Sequence, residues 1–371
     1  MERVLVYGVK DPPGGVEKIA MEYIRRIVQC HDLRFDLLVF DEQFSQKEIY
    51  EQMGCGVYCV PTRRKDPVGY KREVGRIFAE NQYRAVWCNF AGLTNIDLLI
   101  MGKKHSVPVR IAHSHGSRFY WGNPVMKYVV PVLHHMNRLR VDKYATDFWT
   151  CSDVAGEFMF PKRLQNQVEL IPNAVDTDIF YLDPVQRRAK RAELGLPEET
   201  PVVGHVARIC EVKNQAFLLE VMSELVKKVP EAKLLFVGDG ELYPQIRSKI
   251  QELGLDDCVI MTGERSDVPE LLRAMDVFVL TSFSEGLSVS AVEAQASGLP
   301  CVLPDTVSKL TDVTGNVRFL NLDMPAAEWA EQILEKSAIG AACVKEKLVA
   351  AGYDLSHAAE MLYQRFMGIA E

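Results

Sequence analysis

The chain has 371 residues, of which 48% are hydrophobic and 25% are charged, and its formal net charge is −7. These values indicate a folded protein of two domains, and the negative charge argues against a surface that coats nucleic acid. The nine cysteines include no pair in C-x-x-C spacing, which favours reduced thiols in the cytoplasm over a disulfide framework. The first residues predict a strand rather than a signal peptide, and no apolar run is long enough to span a membrane.

Short apolar runs alternate with segments of helical periodicity along the chain, a pattern typical of parallel sheets with crossover helices. Strands are predicted at residues 3–7, 35–40, 57–60, 85–88, 109–112, 148–151 and 168–171, and then at 202–206, 233–237, 258–261, 277–280 and 301–303.

A polar stretch at residues 183–191 interrupts this alternation, which then restarts. We therefore expect an N-terminal domain of residues 1–180 and a C-terminal domain of residues 181–355, with a last helix at 356–371 that returns to the first domain. The predicted fold class is α/β, with two doubly wound, Rossmann-like domains that face each other across a cleft. A ligand would bind there, at the carboxyl ends of the strands.

The loop after the first strand ends in Gly14-Gly15, just before the first predicted helix. Glycines at a helix N-terminus let the backbone approach an anionic ligand closely. The loop does not have the spacing G-x-G-x-x-G, which disfavours a dinucleotide-binding domain. An ordinary tight turn accounts for the two glycines equally well.

Three loops of the second half also follow predicted strand ends. Arg208 and Lys213 follow the first of these strands, where two cations can clamp a diphosphate. Surface charges on a solvated loop are the alternative. Gly238-Asp239 and Arg265 follow the next two strands. These loops share one edge of the predicted sheet, so we expect a single long ligand along them, with its base near Arg265.

The most informative segment is 281–300, where a strand runs into small polar residues, a glycine and a short helix. Ser290 and Glu293 have capping-box spacing and predict the start of the helix, and Gly298 predicts its end. The free N–H groups of a first helical turn bind anions. The carboxylates of Glu285 and Glu293 suit neutral hydroxyl groups instead. The segment therefore predicts a ligand with both phosphate and hydroxyl groups, which is a sugar nucleotide.

Taken together, these elements resemble family 4 glycosyltransferases, which have the GT-B fold. The matching residues are Arg208 and Lys213 (the family's Arg-x4-Lys), Glu285 and Glu293 (its Glu-x7-Glu), Gly14-Gly15 (its first-domain phosphate loop) and 173–180 (its interdomain segment). Within the family, residues 110–116 and 293–298 resemble those of bacterial capsule and exopolysaccharide enzymes.

The resemblance implies retaining, metal-independent transfer of a hexosyl unit from a nucleoside diphosphate sugar, most commonly a UDP-sugar. The acceptor would be a glycan or a lipid-linked sugar in polysaccharide biosynthesis, and no cofactor is expected. Arg208 and Lys213, together with helix dipoles, would stabilise the leaving diphosphate. Glu293 would hold the ribose hydroxyls and Glu285 the donor-sugar hydroxyls, without the paired acid and nucleophile of glycosidases.

The resemblance also implies a first-domain histidine beside the donor sugar. His113 and His115 both follow the predicted strand 109–112, and alternation places them on the same side, so the sequence leaves open which one it is. Further donor contacts are expected at Gly14, Gly15, Gly238, Asp239, Arg265, Gly286, Leu287 and Ser288.

Positive charge is concentrated between Lys103 and Lys143. Against the single acid Asp142, the basic residues are Lys103, Lys104, Arg110, Arg118, Lys127, Arg138, Arg140 and Lys143. This concentration predicts an acceptor side that faces a lipid pyrophosphate or the anionic inner face of the cell membrane. A normal amphipathic helix with basic residues facing solvent is the alternative.

Two other functions use the same elements. A nucleotide-sugar 2-epimerase would bind the same donor but need no acceptor, and the Glu-x7-Glu element favours transfer over it. A catalytically inactive sugar-nucleotide-binding regulator is disfavoured by the intact Arg208, Lys213, Glu285 and Glu293. A NAD dehydrogenase is disfavoured because no dinucleotide fingerprint follows any predicted strand.

Overall fold

The computed structural model describes residues 1–9, 15–40, 44–116, 119 and 126–369. The chain divides into two compact units, one of Met1–Asn173 with Leu355–Glu371 and the other of Ala174–Asp354. Among the described helices, none combines the length and the apolar composition needed to cross a bilayer.

The domain boundary predicted at residue 180 is misplaced, because the segment before it is bound to the second unit. The Val175 N–H donates to the Tyr353 carbonyl over 3.0 Å, and the Thr177 hydroxyl donates to the Asp354 carboxylate over 2.7 Å. These bonds join the two ends of the second unit to each other, so the unit begins several residues earlier than the polar stretch suggests.

The first unit contains a parallel sheet. Its strands are β1 (Glu2–Tyr7), β2 (Leu33–Val39), β3 (Gly56–Cys59), β4 (Ala85–Phe90), β5 (Val109–Ser114), β6 (Asp147–Thr150) and β7 (Val168–Leu170), and its helices include α1 (Gly15–Cys30), α2 (Lys47–Gln52), α3 (Pro67–Glu80), α4 (Asp97–Lys104), α5 (Met126–Arg138) and α6 (Asp153–Met159). The spatial order β3-β2-β1-β4-β5-β6-β7 reverses direction between β1 and β4. Such a reversal opens a crevice at the carboxyl ends of the two strands. Strand β4 is buried at every residue, as expected for a central strand covered on both faces.

The second unit repeats this plan with six strands. They are β8 (Val202–Val206), β9 (Lys233–Val237), β10 (Val259–Met261), β11 (Val277–Val279), β12 (Cys301–Pro304) and β13 (Val317–Leu320), with helices α7 (Pro184–Glu193), α8 (Gln215–Lys228), α9 (Tyr243–Glu252), α10 (Val268–Arg273), α11 (Val289–Ala296), α12 (Ala326–Ser337) and α13 (Lys345–Ala350). The spatial order β10-β9-β8-β11-β12-β13 reverses between β8 and β11. The loops after these two strands are therefore the expected ligand-binding loops.

Each predicted strand overlaps an observed one, but β13 is not predicted. Its four residues pair with β12 at the sheet edge and are only partly buried, apart from Leu320. A short edge strand with a central Arg318 lacks the continuous apolar run that marks the buried strands.

The last helix, α14 (Leu355–Met367), packs on α1 and belongs to the first unit. Its Phe366 is fully buried, with its ring centroid 5.5 Å from that of Trp87 and 5.8 Å from that of Trp149. The end of the chain thus completes the core beneath β4 and β6.

Candidate active site

The loops after β8 and β11 bring two predicted residues into direct contact. Lys213 Nζ lies 2.6 Å from Glu285 Oε1, and their side chains are 21% and 12% exposed. The residues are far apart in sequence but meet because β8 and β11 are neighbours at the point where the strand order reverses. A cation suited to phosphate and a carboxylate suited to hydroxyl groups therefore share one location.

The surroundings of Glu285 keep its carboxyl ionised. Burial by itself raises the pKa of Glu285, but the Lys213 ammonium and the Ser282 and Ser288 hydroxyls outweigh this effect, so the pKa lies below its ordinary value. The Ser282 hydroxyl donates to Glu285 Oε1 over 2.5 Å. A carboxylate with a lowered pKa is ionised near neutral pH, where it can accept hydrogen bonds from hydroxyls but cannot serve as a general acid.

Arg208 lies on the same loop as Lys213 but on the surface. Its side chain is 67% exposed, and its guanidinium lies 3.0 Å from the Glu241 carboxylate. Exposed ion pairs contribute only about 0–1 kcal/mol. Arg208 can therefore exchange this partner for an anionic ligand at small cost.

Gly238 and Asp239 of the β9 loop pack against the β8 loop. A Cβ on Gly238, which has φ +135°, would lie 2.1 Å from the Ala207 carbonyl oxygen. The Ile209 N–H donates to the Asp239 carbonyl over 2.9 Å. Close packing of the two loops thus accounts for this predicted donor-site glycine without a ligand.

Arg265, predicted to lie near the base, is engaged by acidic neighbours. Two of its guanidinium nitrogens donate to Asp267 over 2.7 Å each, and these bonds hold the pKa of Asp267 well below its ordinary value. Glu193 Oε1 lies 3.4 Å away. The Arg265 side chain therefore orders its own loop.

The capping box predicted for α11 is wrong. The N-cap residue is Ser288 rather than Ser290, and the Ser288 side chain makes no capping hydrogen bond. Leu287 and Val292 are both buried in one apolar cluster at the N′ and N4 positions, the arrangement of a hydrophobic staple. Packing of the staple therefore determines where the helix begins. The helix ends as predicted, at Gly298 with φ +85°.

The start of α11 at Val289 determines which groups of the β11–α11 loop can contact a ligand. Leu287, predicted as a donor contact, points its side chain into the core, so only its backbone is available. Gly286 is partly buried and Ser288 is buried. Glu293 is a partly buried residue of the helix interior. With no side-chain cap, the first-turn N–H groups of α11 suit an anion.

In the first unit, β5 extends to Ser114, so His113 lies within the strand rather than after it. The His113 and His115 ring centroids are 4.0 Å apart, which confirms that they share one side. His113 is 2% exposed, and its Nδ1 accepts from Trp87 Nε1 over 3.2 Å. His115 is partly buried.

Both histidines are neutral near pH 7. Burial lowers the pKa of His113 well below its ordinary value and that of His115 to about 3. His115 Nε2 lies 2.9 Å from Asn89 Oδ1, and the Asn89 amide donates to the Tyr7 carbonyl over 3.2 Å. Asn89 therefore accepts the His115 Nε2 proton, which leaves Nδ1 as the hydrogen-bond acceptor.

Sequence reasoning missed Asn89, Ser282 and two buried residues below the β8 loop, His205 and Gln215. Asn89 and His205 are polar side chains inside apolar strands, Ser282 follows β11, and Gln215 is the first residue of α8. Of the predicted first-domain loop, Gly15 is the first residue of α1, and Gly14 lies outside the described residues.

The basic residues of 103–143 mostly serve the fold. Arg110 donates to the Tyr144 carbonyl over 2.6 Å, and Arg138 donates to the Phe160 carbonyl over 2.7 Å. Lys103 donates to the Lys143 carbonyl over 2.6 Å. Lys104 and Lys127 are exposed, and Arg118 lies outside the described residues.

Helix α5, in the same stretch, turns an apolar face outward. Tyr128, Val132 and Met136 of the helix, with Leu139 just after its end, recur at helical spacing and are 73%, 58%, 54% and 52% exposed. The helix therefore exposes apolar side chains as well as the basic Lys127, and the choice between a membrane-facing surface and a normal amphipathic helix stays a prediction.

Comparisons with known proteins show the family of the chain. The family model described as glycosyl transferases group 1 matches residues 186–319. The chain is 31% identical over 354 residues to EpsF of Bacillus subtilis (strain 168), named as a glycosyltransferase, across 92% of this chain and 90% of EpsF. It is 33% identical over 140 residues to the UDP-Gal:alpha-D-GlcNAc-diphosphoundecaprenol alpha-1,3-galactosyltransferase of Escherichia coli, across 37% of this chain and 36% of that enzyme.

Among solved structures, HepE of Anabaena in complex with UDP matches with a TM-score of 0.79 at 18% identity, over 99% of this chain and 100% of that chain. At this identity the match shows a shared fold. The match to EpsF and this shared fold confirm the resemblance to glycosyltransferases of the GT-B fold. The chain belongs to the group 1 glycosyltransferases and has the GT-B fold.

Proposed function

We propose that the protein transfers a hexosyl unit from a UDP-sugar to a glycan or lipid-linked acceptor in polysaccharide biosynthesis, with retention of configuration and without a metal ion. The observation that carries the proposal is the Lys213–Glu285 pair at the point where the strand order reverses. The UDP bound to HepE and the UDP-Gal donor named for the Escherichia coli relative support the nucleotide assignment.

The donor lies along the loops after β8 and β11. Lys213 and Arg208 bind the diphosphate together with the first-turn N–H groups of α11, which lack a side-chain cap. Glu285 accepts hydrogen bonds from the sugar hydroxyls, and Glu293 accepts hydrogen bonds from those of the ribose. These positive groups take the place of a divalent cation at the leaving group.

The transfer needs no acid–base pair from the protein. The acceptor oxygen forms its bond to the anomeric carbon on the face from which the diphosphate leaves, and the carbon–phosphate-oxygen bond breaks. The proton of the acceptor hydroxyl passes to the leaving phosphate oxygen. The ionised Glu285, held by Lys213 and Ser282, stays an electrostatic and hydrogen-bonding partner throughout.

His115 rather than His113 is the donor-side histidine in this proposal. His113 is buried against Trp87, whereas His115 is partly exposed and keeps Nδ1 free to accept from a sugar hydroxyl. Replacing His115 by Ala should lower kcat/KM for the donor by about tenfold, the value of one hydrogen bond. An unchanged kcat/KM would remove His115 from the site.

The acceptor side is the outward face of α5, which we assign to an anionic membrane in which a lipid-linked acceptor resides. Next to this face, Leu133, Met136, Arg63, Asp97 and Arg140 are among the residues that line a cavity of about 90 Å³. Arg63 is paired with Asp97 there, so the Arg140 guanidinium beside the apolar side chains is the group complementary to a lipid phosphate.

Vesicle sedimentation tests this surface. The double variant V132D/M136D should bind vesicles containing phosphatidylglycerol several-fold more weakly, while V68D is the matched control, because Val68 is 76% exposed on α3. Equal binding to neutral and anionic vesicles, or no binding to either, would contradict the assignment of this face to an anionic membrane.

Thermal unfolding with UDP, GDP or ADP in the presence of a chelator tests the donor. A ligand at 100 times its Kd adds about 2.7 kcal/mol of stability, so a shift with UDP alone is expected. If UDP raises the Tm only when a divalent ion is added, the proposal of metal independence is wrong. Incubation with UDP-sugar and no acceptor then distinguishes the two candidate activities, because a 2-epimerase would convert the sugar and a transferase would not.

A further inference from the structure

Two buried polar side chains lie directly beneath the loop that carries Arg208 and Lys213. His205, at the end of β8, and Gln215, at the start of α8, are each 1% exposed. The His205 Nδ1 lies 2.9 Å from the Val279 carbonyl of β11, and its Nε2 lies 3.2 Å from the Gln215 amide nitrogen.

The hydrogen-bonding groups determine one arrangement of protons. A carbonyl can only accept, so His205 Nδ1 carries the hydrogen and donates to Val279. Nε2 is then the acceptor and receives one N–H of Gln215. The other N–H of Gln215 donates to the Arg208 carbonyl over 2.9 Å. Burial lowers the pKa of His205 to about 4, in keeping with this neutral form.

This chain of bonds ends on the backbone of Arg208. The other end of the loop is held separately, because the Thr281 hydroxyl lies 3.2 Å from the Lys213 carbonyl and 3.0 Å from the Asn214 carbonyl. Asn214 has a left-handed backbone with φ +51°. The guanidinium of Arg208 is exposed, so these buried bonds hold the Arg208 backbone, and the backbone determines the direction in which the side chain leaves the loop.

We propose that His205 and Gln215 are positioning residues that orient Arg208 toward the donor diphosphate. Neither touches the substrate. Strand β11, which leads to Glu285, is joined through Val279 and His205 to the loop of Arg208. The inference rests on the proposed donor site, and it adds a reason why two uncharged polar groups are buried under a charged loop.

Two variants of His205 separate positioning from simple stability. In H205Q, the new side-chain oxygen lies near the place of Nε2 and accepts from Gln215, while the bond to Val279 is lost. In H205N, the shorter amide donates to Val279 but cannot reach Gln215. Each variant keeps one of the two bonds, so we expect a similar fall in Tm for both.

The functional outcomes should differ. H205N is expected to lower kcat/KM for the UDP-sugar about tenfold, because Gln215 loses the acceptor that holds it in place. Q215L should have a similar effect, because the Arg208 carbonyl then loses its hydrogen bond from Gln215. H205Q should stay within about threefold of the wild type. Equal activity of H205N and H205Q at equal Tm would overturn the positioning role and leave these residues with a structural one.

UDP binding by the wild-type protein, measured by calorimetry alongside, keeps the two proposals apart. If the wild type binds no UDP, the donor assignment fails. If it binds UDP and H205N binds and turns over donor as well as H205Q does, only the positioning role fails.

Discussion

After β8 and β11 of the second unit, the Lys213 ammonium and the Glu285 carboxylate lie 2.6 Å apart. At β5 of the first unit, by contrast, the ring centroids of His113 and His115 lie 4.0 Å apart and both rings are neutral. In the second unit the charged groups remain within reach of a ligand. In the basic stretch 103–143 of the first unit, Lys103, Arg110 and Arg138 donate to backbone carbonyls, and the exposed face of α5 is apolar.

The difference teaches that a count of charged residues does not show which of them are free of backbone partners. We expect the donor where Lys213 and Glu285 meet at the carboxyl ends of β8 and β11, because these paired groups are already partly desolvated and preorganised. Substitutions at Lys213, Arg208 and Glu293 can break or sharpen this contrast, from the largest expected effect to the smallest.

Replacing Lys213 by Met should have the largest effect. It removes a cation from the leaving diphosphate and leaves the Glu285 carboxylate partly buried without its counter-charge, so turnover should fall about a thousandfold. The matched control is K249M, which breaks the more exposed Lys249–Glu220 pair of the same unit and should leave turnover near wild type. Similar rates for the two variants would contradict the role of Lys213.

The same variant makes a prediction for pH. In the wild type the pKa of Glu285 is lowered, so its stabilising contribution is present above the ordinary carboxyl pKa and is lost as pH falls through the folded value. Without Lys213, burial raises the pKa instead, and the ionised carboxylate is destabilising at neutral pH. The Tm deficit of K213M should therefore be larger at pH 7.5 than at pH 5. A deficit that does not change with pH would mean that Glu285 has another counter-charge.

Replacing Arg208 by Ala should lower turnover by about two to three orders of magnitude, as expected for a lost stabiliser of the leaving group. The Tm should hardly change, because the side chain is 67% exposed. Removing only the partner charge with E241Q should leave both quantities near wild type. Near-normal turnover in R208A would assign the diphosphate to Lys213 and α11 alone.

Replacing Glu293 by Ala should act on binding rather than on chemistry. Loss of hydrogen bonds from the ribose to a carboxylate should weaken UDP affinity about tenfold or more, with a smaller change in kcat. Calorimetry with UDP checks the affinity. An unchanged Kd would remove Glu293 from the nucleotide site.

The sequence predicts the two parallel sheets because buried strands leave continuous apolar runs. It does not predict that Lys213 meets Glu285, since that contact depends on the spatial order of the strands, which apolar runs do not encode. The buried network of His205 and Gln215 is invisible for a similar reason. Single polar residues in apolar segments have no periodicity of their own, and only the neighbouring carbonyls reveal their use.

The start of α11 shows the same limit at short range and supports the smallest prediction. Ser290 and Glu293 have the spacing of a capping box, yet Ser288 occupies the N-cap position, because Leu287 and Val292 pack in one cluster. S290A should therefore change the free energy of unfolding by less than about 0.5 kcal/mol, whereas loss of an N-cap costs about 1 kcal/mol. L287A, which empties the staple, should cost about 2–5 kcal/mol. Urea denaturation measures both, and a larger loss for S290A than for L287A would mean that hydrogen bonding rather than apolar packing determines where this helix begins.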